Sequence, residues 1–180
     1  MFSDYIDLKQ CSSKGDYIKM REYLKDYGID KFYNEMENKH VFKNECLVEI
    51  DNPFVKMIKN LSNKEQEFID IGSYILITCN YNKKHKLLTP KRLDWKSFNV
   101  LTLDKKDLPM LYEMKELSEM IISIFGWKNT CVCFHCFPFN SVQALHLHIV
   151  DLSSEPNFHL QNNLSIDDVI STIQEGSVID

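Results

Sequence analysis

The sequence predicts an α+β fold with an antiparallel sheet. One long segment, residues 108–125, places leucines and isoleucines at helical spacing and is closed by Gly126. Segments rich in β-branched and aromatic residues, which favour strands, lie on both sides of it. The resulting order of strand, long helix, strand, strand and helix is typical of an α+β domain built on an antiparallel sheet.

The chain before residue 93 is predicted to contain two helices, two strands and one long loop. Apolar residues at helical spacing that stop at Gly28 indicate the first helix, and Tyr74–Thr78 has the β-branched composition of a buried strand. Ser62 and Glu65 have the spacing of a capping box, which indicates a second, short helix. The predicted elements are a helix over residues 16–27, a strand over 41–50, a helix over 61–70, a strand over 74–78 and a polar, basic loop over 80–92.

The chain after residue 93 is predicted to hold the long helix, two strands and a last short helix. Asp107 is expected to cap the long helix, with Pro109 in its first turn, where proline is tolerated. Strands are expected over residues 130–137 and 142–152, and Ser165 is expected to cap the last helix.

Composition limits the classes of function. The chain has 180 residues, which we divide into an N-terminal arm, residues 1–69, and a main domain, residues 70–180. No apolar run approaches the roughly 20 residues that span a bilayer. The six cysteines lack the density of a disulfide framework. These features predict an intracellular protein, cytoplasmic or nuclear, with no membrane partner.

The charge of the chain restricts its nucleic-acid ligands. A net charge of -5 argues against a protein that grips long nucleic acid through a basic face. A nucleotide or a short oligonucleotide is still compatible with this charge, because a small site needs only a few local donors. The basic cluster within residues 83–92 is interpreted as a solvated loop, from which a lysine could neutralise phosphate charge.

Two histidines stand two residues apart in the last predicted strand. Side chains alternate between the faces of a strand, so His146 and His148 are expected on one face with Ala144, opposite the apolar residues between them. Imidazole is the side chain best suited to nucleophilic attack or proton transfer near neutral pH. The spacing by itself is at least equally compatible with a structural or metal-binding pair.

The segment Asn140–His148, with the sequence NSVQALHLH, resembles the histidine-triad signature. In that signature, Gln-Ser-Val and one further residue precede His-x-His-x-His. The resemblance implies that Ser141 binds phosphate, that His146 is the central, nucleophilic histidine and that His148 is the third. Ala144 stands where the family has its first histidine.

Residues 70–176 are similar to the scavenger mRNA-decapping enzymes in particular. Phe134–Pro138, with the sequence FHCFP, matches the His-x-x-Pro motif of that family. The supporting matches upstream are Trp95–Phe98, Leu101–Thr102 and Leu108–Leu111. The resemblance implies that His135 binds or protonates the bridging or leaving phosphate.

The same resemblance implies contacts to the rest of a substrate. Asn140 and Lys96 are expected to bind phosphate. Asp94 and Trp95 are expected to contact the base, because Asp94-x-Lys96 has the form of the Asp-x-Lys pair with which the family reads it. The N-terminal domain of the family, which helps to enclose a methylated guanine, is longer than the arm of this chain.

These observations predict a histidine-triad nucleotide phosphoanhydride hydrolase that needs no cofactor and no metal. A capped dinucleotide or short capped RNA fragment is the favoured substrate, and the resemblance implies a homodimer. One alternative, raised by Ala144, is a non-catalytic cap- or nucleotide-binding protein. A weaker alternative is a zinc site made of His135 and three cysteines, Cys131, Cys133 and Cys136. Cys136 would lie on the other strand face, which suits a tetrahedral site poorly.

Overall fold

The computed structural model of the chain has an α+β fold. It describes residues 1–44, 46–47, 53–58, 67–158 and 160–176, and the side chain of Lys96 is not among those described. The described strands are β1 Phe42–Lys43, β2 Cys46–Leu47, β3 Phe68–Asp70, β4 Tyr74–Cys79, β5 Asn82–Pro90, β6 Thr130–Phe134, β7 Leu147–Asp151 and β8 Leu164–Ser165. The described helices are α1 Phe2–Tyr5, α2 Lys14–Tyr27, α3 Ile29–Asn38, α4 Pro53–Ile58, α5 Leu108–Phe125 and α6 Ile166–Gln174. Strands β3 to β8 form one antiparallel sheet in the order β3-β4-β5-β7-β6-β8, and β1 pairs with β2. The predicted fold class is confirmed.

The centre of the sheet positions the histidines. Strand β7 lies between β5 and β6 and is antiparallel to both. Its residue His148 stands opposite Leu87 of β5 and Cys133 of β6. Leu147 and Ile149 are fully buried on the other face of β7, because side chains alternate along a strand. The backbone at position 148 is therefore held by a neighbouring strand on each side.

Three helix ends follow the signals in the sequence. Helix α2 begins after Ser13, whose Oγ accepts the backbone N–H of Asp16 at 3.1 Å. Helix α5 ends at Gly126, which has a φ of 68°, a left-handed conformation that favours glycine. Helix α6 begins after Ser165, whose Oγ accepts the N–H of Asp168 at 3.1 Å. The predicted helix ends at Gly28 and Gly126 and the predicted cap at Ser165 are confirmed, whereas α2 begins at Lys14, two residues before its predicted start.

The N-terminal helices share a core with the sheet. The Tyr17 hydroxyl donates to the carbonyl oxygen of Val100 at 2.8 Å. The buried guanidinium of Arg21 donates to the carbonyl oxygens of Leu101, at 3.1 Å, and Leu103, at 2.6 Å. These bonds satisfy carbonyl groups that would otherwise be buried without a partner, and they fix the segment between β5 and α5.

The basic stretch of the sequence is a strand, and its prediction as a loop was wrong. Strand β5 covers most of it and pairs with β4 on one side and β7 on the other. His85 and Leu87 lie on the face that carries His148, whereas Lys84 and Lys86 lie on the opposite face. Pairing on both sides outweighs the polar composition, because lysines on one face of a strand can reach solvent while the other face is buried.

Two predicted strands are shorter than expected. Strand β6 ends at Phe134, three residues before the predicted end. Strand β7 begins at Leu147 and not at Val142, so His146 precedes the strand. The expectation that His146 and His148 lie on one face of the same strand was therefore wrong, because only His148 belongs to β7.

Three further boundaries differ from the sequence predictions. A helix was predicted over residues 61–70, but Phe68–Asp70 form the edge strand β3. Residues 61–66 lie outside the described residues. The strand predicted over residues 41–50 is a short hairpin where it is described, and residues 45 and 48–50 lie outside. Asp107 precedes α5, but its carboxylate accepts the N–H of Asp104 and makes no cap bond to α5. None of the described helices is long and apolar enough to cross a membrane.

Candidate active site

Four imidazoles meet on one face of the sheet within the described chain. His148 is at their centre, 4.2 Å between ring centroids from His135, 4.9 Å from His146 and 5.2 Å from His85. His85 comes from β5, His148 from β7, and the other two from the ends of the β6–β7 connection. Three of these histidines were predicted to belong to one site, whereas His85 was expected in a solvated loop.

Three of the four histidines line a cavity of about 340 Å³. His135, His146 and His148 form part of its wall, together with the predicted phosphate ligands Ser141 and Asn140. Its apolar wall includes Phe54, Leu87, Phe139 and Val142. The cavity thus combines imidazoles and an exposed serine hydroxyl with apolar surface, which is the mixture typical of small-ligand sites.

His146 has the protonation state that a nucleophile needs. Its Nδ1 donates to the carbonyl oxygen of Ala144 at 2.6 Å. A neutral imidazole that donates from Nδ1 carries its lone pair on Nε2. Burial lowers the pKa of His146 to about 4, so the ring is neutral at physiological pH. The ring of Phe54 packs edge-on against His146 at 5.0 Å and helps to fix its orientation.

His148 is held by a chain of polar side chains behind it. Its Nδ1 lies 2.9 Å from Nε2 of His85, which is fully buried. The Nδ1 of His85 lies 2.9 Å from the Tyr81 hydroxyl and 3.3 Å from Oε1 of Glu155. Asn82 donates to the same Oε1 at 2.7 Å. His85, Tyr81 and Glu155 were not predicted as site residues from the sequence.

His135 packs against His148 and is hydrogen-bonded to the C-terminal part of the chain. Its ring is tilted by 31° from that of His148, and its Nε2 lies 3.2 Å from Oδ1 of Asn163. The carbonyl oxygen of His135 accepts a bond from Asn99 Nδ2 at 3.3 Å, while Asn99 Oδ1 accepts the N–H of Phe137 at 2.9 Å. The buried Asn99 therefore anchors the start of the β6–β7 connection.

The connection between His135 and His146 is ordered by Asn140. The amide nitrogen of Asn140 donates to the carbonyl oxygen of Val142 at 2.9 Å and to Oε1 of Gln143 at 3.0 Å. Asn140 thus uses its donors to shape the loop that presents Ser141. Direct phosphate binding by Asn140 stays a prediction.

The predicted base ligands lie outside this cavity. The carboxylate of Asp94 accepts from the backbone N–H and hydroxyl of Ser97, at 3.0 and 3.1 Å, and forms an ion pair with Arg92 at 3.2 Å. Trp95 is half-buried and packs edge-on against Tyr33 at 5.3 Å. The side chain of Lys96 is outside the described residues. Base binding by this segment stays a prediction, as does phosphate binding by Lys96.

The lysines of β5 line a different cavity, of about 570 Å³. Lys83, Lys84 and Lys86 meet Phe125 and Trp127 there, and the Lys86 ammonium lies over the Phe125 ring at 5.2 Å. Because Lys84 and Lys86 lie on the face opposite His85, these lysines do not line the histidine cavity.

The cysteines proposed as zinc ligands are divided between two places. Cys131 and Cys133 share a hydrogen bond, whereas Cys136 is buried in a contact with Cys11. Within the described residues, no group of three or more His, Cys, Asp and Glu side chains is arranged to hold a metal ion. Cys136 follows the end of β6 at Phe134, so its separation from the other two comes from the β6–β7 connection and not from the alternation of strand faces.

Family comparison agrees with the histidine motif. The family described as "Scavenger mRNA decapping enzyme C-term binding" matches residues 51–163. Because this match covers more than half of the chain, the chain belongs to that family of histidine-triad-like (HIT-like) domains. The resemblance predicted from the sequence is confirmed.

Solved structures of HIT proteins are similar in outline. A HIT family hydrolase from Clostridium thermocellum has 18% identity and a TM-score of 0.48, covering 61% of this chain and 92% of its own. A histidine triad protein from Clostridium difficile has 15% identity and a TM-score of 0.48, covering 58% and 92%. A Hit-like protein involved in cell-cycle regulation from Bartonella henselae has 17% identity and a TM-score of 0.47, covering 73% and 99%. No curated protein matches the chain.

Proposed function

We propose that this protein hydrolyses a nucleoside phosphoanhydride through a covalent intermediate on His146. The observation that carries the proposal is the 2.6 Å bond from His146 Nδ1 to the Ala144 carbonyl oxygen. This bond fixes the tautomer with a lone pair on Nε2, and the lowered pKa keeps that lone pair available at neutral pH. A protein that only binds nucleotides has no need for an imidazole prepared in this way.

The proposed reaction has two steps on phosphorus. The lone pair of His146 Nε2 attacks the phosphorus in line, a nitrogen–phosphorus bond forms, and the bond from phosphorus to the bridging oxygen breaks. The leaving phosphate keeps the bond electrons and takes up a proton, for which His135 is the proposed donor. Water then attacks the same phosphorus and gives its proton back to His135, the nitrogen–phosphorus bond breaks with its electron pair returning to His146, and the nucleoside monophosphate is released.

Charge that develops on the phosphoryl oxygens needs donors in fixed positions. Ser141 and His148 both line the histidine cavity, and we assign them to the oxygens that stay on phosphorus. Their rigidity has different sources: His148 is held by strands on both sides, and Ser141 by the loop that Asn140 orders. Preorganised donors of this kind stabilise the transition state because they need no rearrangement during the reaction.

The substrate we propose is a capped dinucleotide or a short capped RNA fragment. Dinucleoside polyphosphates are the second choice. The support is membership of the scavenger decapping family together with a cavity of nucleotide-compatible size and mixed polarity. Phe54, Phe139 and Tyr81 are the aromatic rings in the cavity wall, and a cationic methylated base can stack on such a ring. We therefore expect these rings to contribute to base binding.

Incubation with methylated and unmethylated cap dinucleotides, with products identified by mass spectrometry, tests the proposal. We expect a nucleoside monophosphate and a nucleoside diphosphate, released in the presence of excess chelator. Products from both caps at equal rates would refute selectivity for the methyl group but leave the hydrolysis intact. Tight binding with no product from either cap or from a dinucleoside polyphosphate would favour the nucleotide-binding alternative. Loss of turnover in chelator, restored by zinc or magnesium, would contradict the histidine mechanism.

A further inference from the structure

We propose that Glu155 is a positioning residue that acts through His85 on His148. In this arrangement Glu155 fixes the tautomer of His85 and supplies the counter-charge that lets His148 bind a phosphate oxygen as an imidazolium. The inference rests on the proposed function for its phosphate ligand, but its first part concerns the protein without any ligand. It is carried by two contacts in a row, from Glu155 to His85 and from His85 to His148.

The contact between the two imidazoles can hold one proton in only two ways. His85 Nε2 and His148 Nδ1 are 2.9 Å apart, so one nitrogen donates and the other accepts when both rings are neutral. If His85 donated, its Nδ1 would carry a lone pair. If His148 donates, His85 carries its hydrogen on Nδ1, next to Glu155.

Glu155 selects between these two arrangements. A carboxylate only accepts hydrogen bonds, and Asn82 already donates to the same Oε1 at 2.7 Å. A lone pair on His85 Nδ1, 3.3 Å from this Oε1, would be repelled by the negative charge, whereas an N–H there is attracted. The Tyr81 hydroxyl, 2.9 Å from the same nitrogen, can also accept, because its own bond goes to the Cys79 side chain. His85 therefore carries its hydrogen on Nδ1 and accepts from His148.

The selected tautomer has a consequence for phosphate binding. With Nδ1 donating to His85, a neutral His148 has a lone pair on Nε2, and a phosphate oxygen accepts but does not donate. His148 must take up a proton before its Nε2 can donate to that oxygen. Phosphate binding is then coupled to uptake of one proton at His148.

An imidazolium in this position needs a nearby negative charge, and Glu155 provides it. The described titratable groups around His148 are His85, His135, His146, Tyr81, Cys79, Cys133 and Glu155. Burial raises the pKa of Cys79 to about 11, and a hydrogen bond that Cys133 donates to Cys131, together with burial, raises the pKa of Cys133, so both thiols stay protonated. Tyrosine is neutral at pH 7, and so is His146. Among these groups, Glu155 is therefore the one that carries negative charge.

The tautomer is tested first, on the protein without ligand. Ring nitrogen-15 NMR at neutral pH distinguishes a histidine protonated on Nδ1 from one protonated on Nε2. We expect His85 in the Nδ1-protonated form in the wild type, and a mixture of both forms in Glu155→Gln. A wild-type His85 protonated on Nε2 overturns the inference, whether or not the protein turns over any nucleotide.

The coupled proton is tested by calorimetric titration with 7-methylguanosine monophosphate, the product expected from a methylated cap. In buffers of different ionisation enthalpy, we expect uptake of about one proton per nucleotide bound above neutral pH. Glu155→Gln should weaken binding about tenfold near neutral pH and move the midpoint of its pH dependence about one unit lower, since one pKa unit is a tenfold change in proton affinity. Glu155→Asp, which keeps the charge, should recover part of both effects.

A matched control is Glu175→Gln, which removes a surface carboxylate that pairs with Lys14 and leaves the histidine site untouched. This control should bind like the wild type at every pH. Equal pH profiles for the wild type and Glu155→Gln, with both proteins folded, overturn the role of Glu155. Normal proton uptake in a protein without turnover would leave this inference standing and refute only the proposed hydrolysis.

Discussion

Acidification should destabilise this protein through His146 by an amount that can be calculated. The folded-state pKa of His146 is about 4, below the ordinary value of about 6.5 that the unfolded chain has. The unfolded state therefore binds the proton more tightly, and stability falls as the pH drops from about 6.5 toward about 4. At pH 4.5 the unfolded imidazole is almost fully protonated, whereas only about a quarter of the folded imidazole is. Between pH 7 and 4.5 this difference removes about 2 kcal/mol of folding free energy.

Urea denaturation at these two pH values measures the effect. His146→Asn keeps an amide that can still donate to the Ala144 carbonyl, and it retains every other titrating group. The wild type should therefore lose about 2 kcal/mol more than this variant on acidification, within the error of extrapolation to zero denaturant. His40→Asn is the matched control, because His40 is exposed and its φ of 60° suits asparagine. Equal losses in the wild type and His146→Asn would refute the burial of a neutral imidazole.

Three further predictions concern turnover and packing. His146→Asn should lower the turnover rate by many powers of ten while nucleotide binding persists, whereas His148→Asn should cost on the order of 10²–10³, and rapid quenching with peptide mass spectrometry should place the nucleotide on residues 141–150. An adduct on another histidine would contradict the assignment. Ala144→His should change turnover only modestly in steady-state assays, so an increase of several orders of magnitude would identify the natural protein as a disabled enzyme. Leu147→Ala, at a fully buried position of β7, should lower the free energy of unfolding by about 2–5 kcal/mol in urea, and a loss below about 1 kcal/mol would contradict its place in the core.

The fold was predictable where local signals and burial agree. Gly28 and Gly126 end their helices, and Ser165 begins the last one, because caps depend on neighbours within a few residues. The strand β5 was missed because its lysines make its composition polar, and pairing with distant strands decides its structure. The composition of residues 82–90 can be read from one sequence, but the strands that pair with them cannot.

The site shows the same division between local and distant information. His146 and His148 could be found from their motif, since they lie within one short segment. His85 lies 63 positions from His148 and 70 positions from Glu155 in the sequence. No spacing rule connects residues that are so far apart. The available signal was weak: in residues 82–90, His85 and Leu87 have the two-residue period of a strand, but Lys84 and Lys86 conceal it.

The absence of an imidazole at position 144 is compatible with the proposed catalysis, because the group of this residue that contacts His146 belongs to the backbone. The group that fixes the tautomer of His146 is the carbonyl oxygen of Ala144, and every residue supplies a carbonyl oxygen. The side chain of Ala144 is itself buried in the hydrophobic core and does not line the histidine cavity. A further imidazole of the cluster comes from another strand, where His85 contacts His148 directly. The carbonyl oxygen of Ala144 therefore fixes the protonation of His146, and His85 of β5 contacts His148, although the motif has no histidine at position 144.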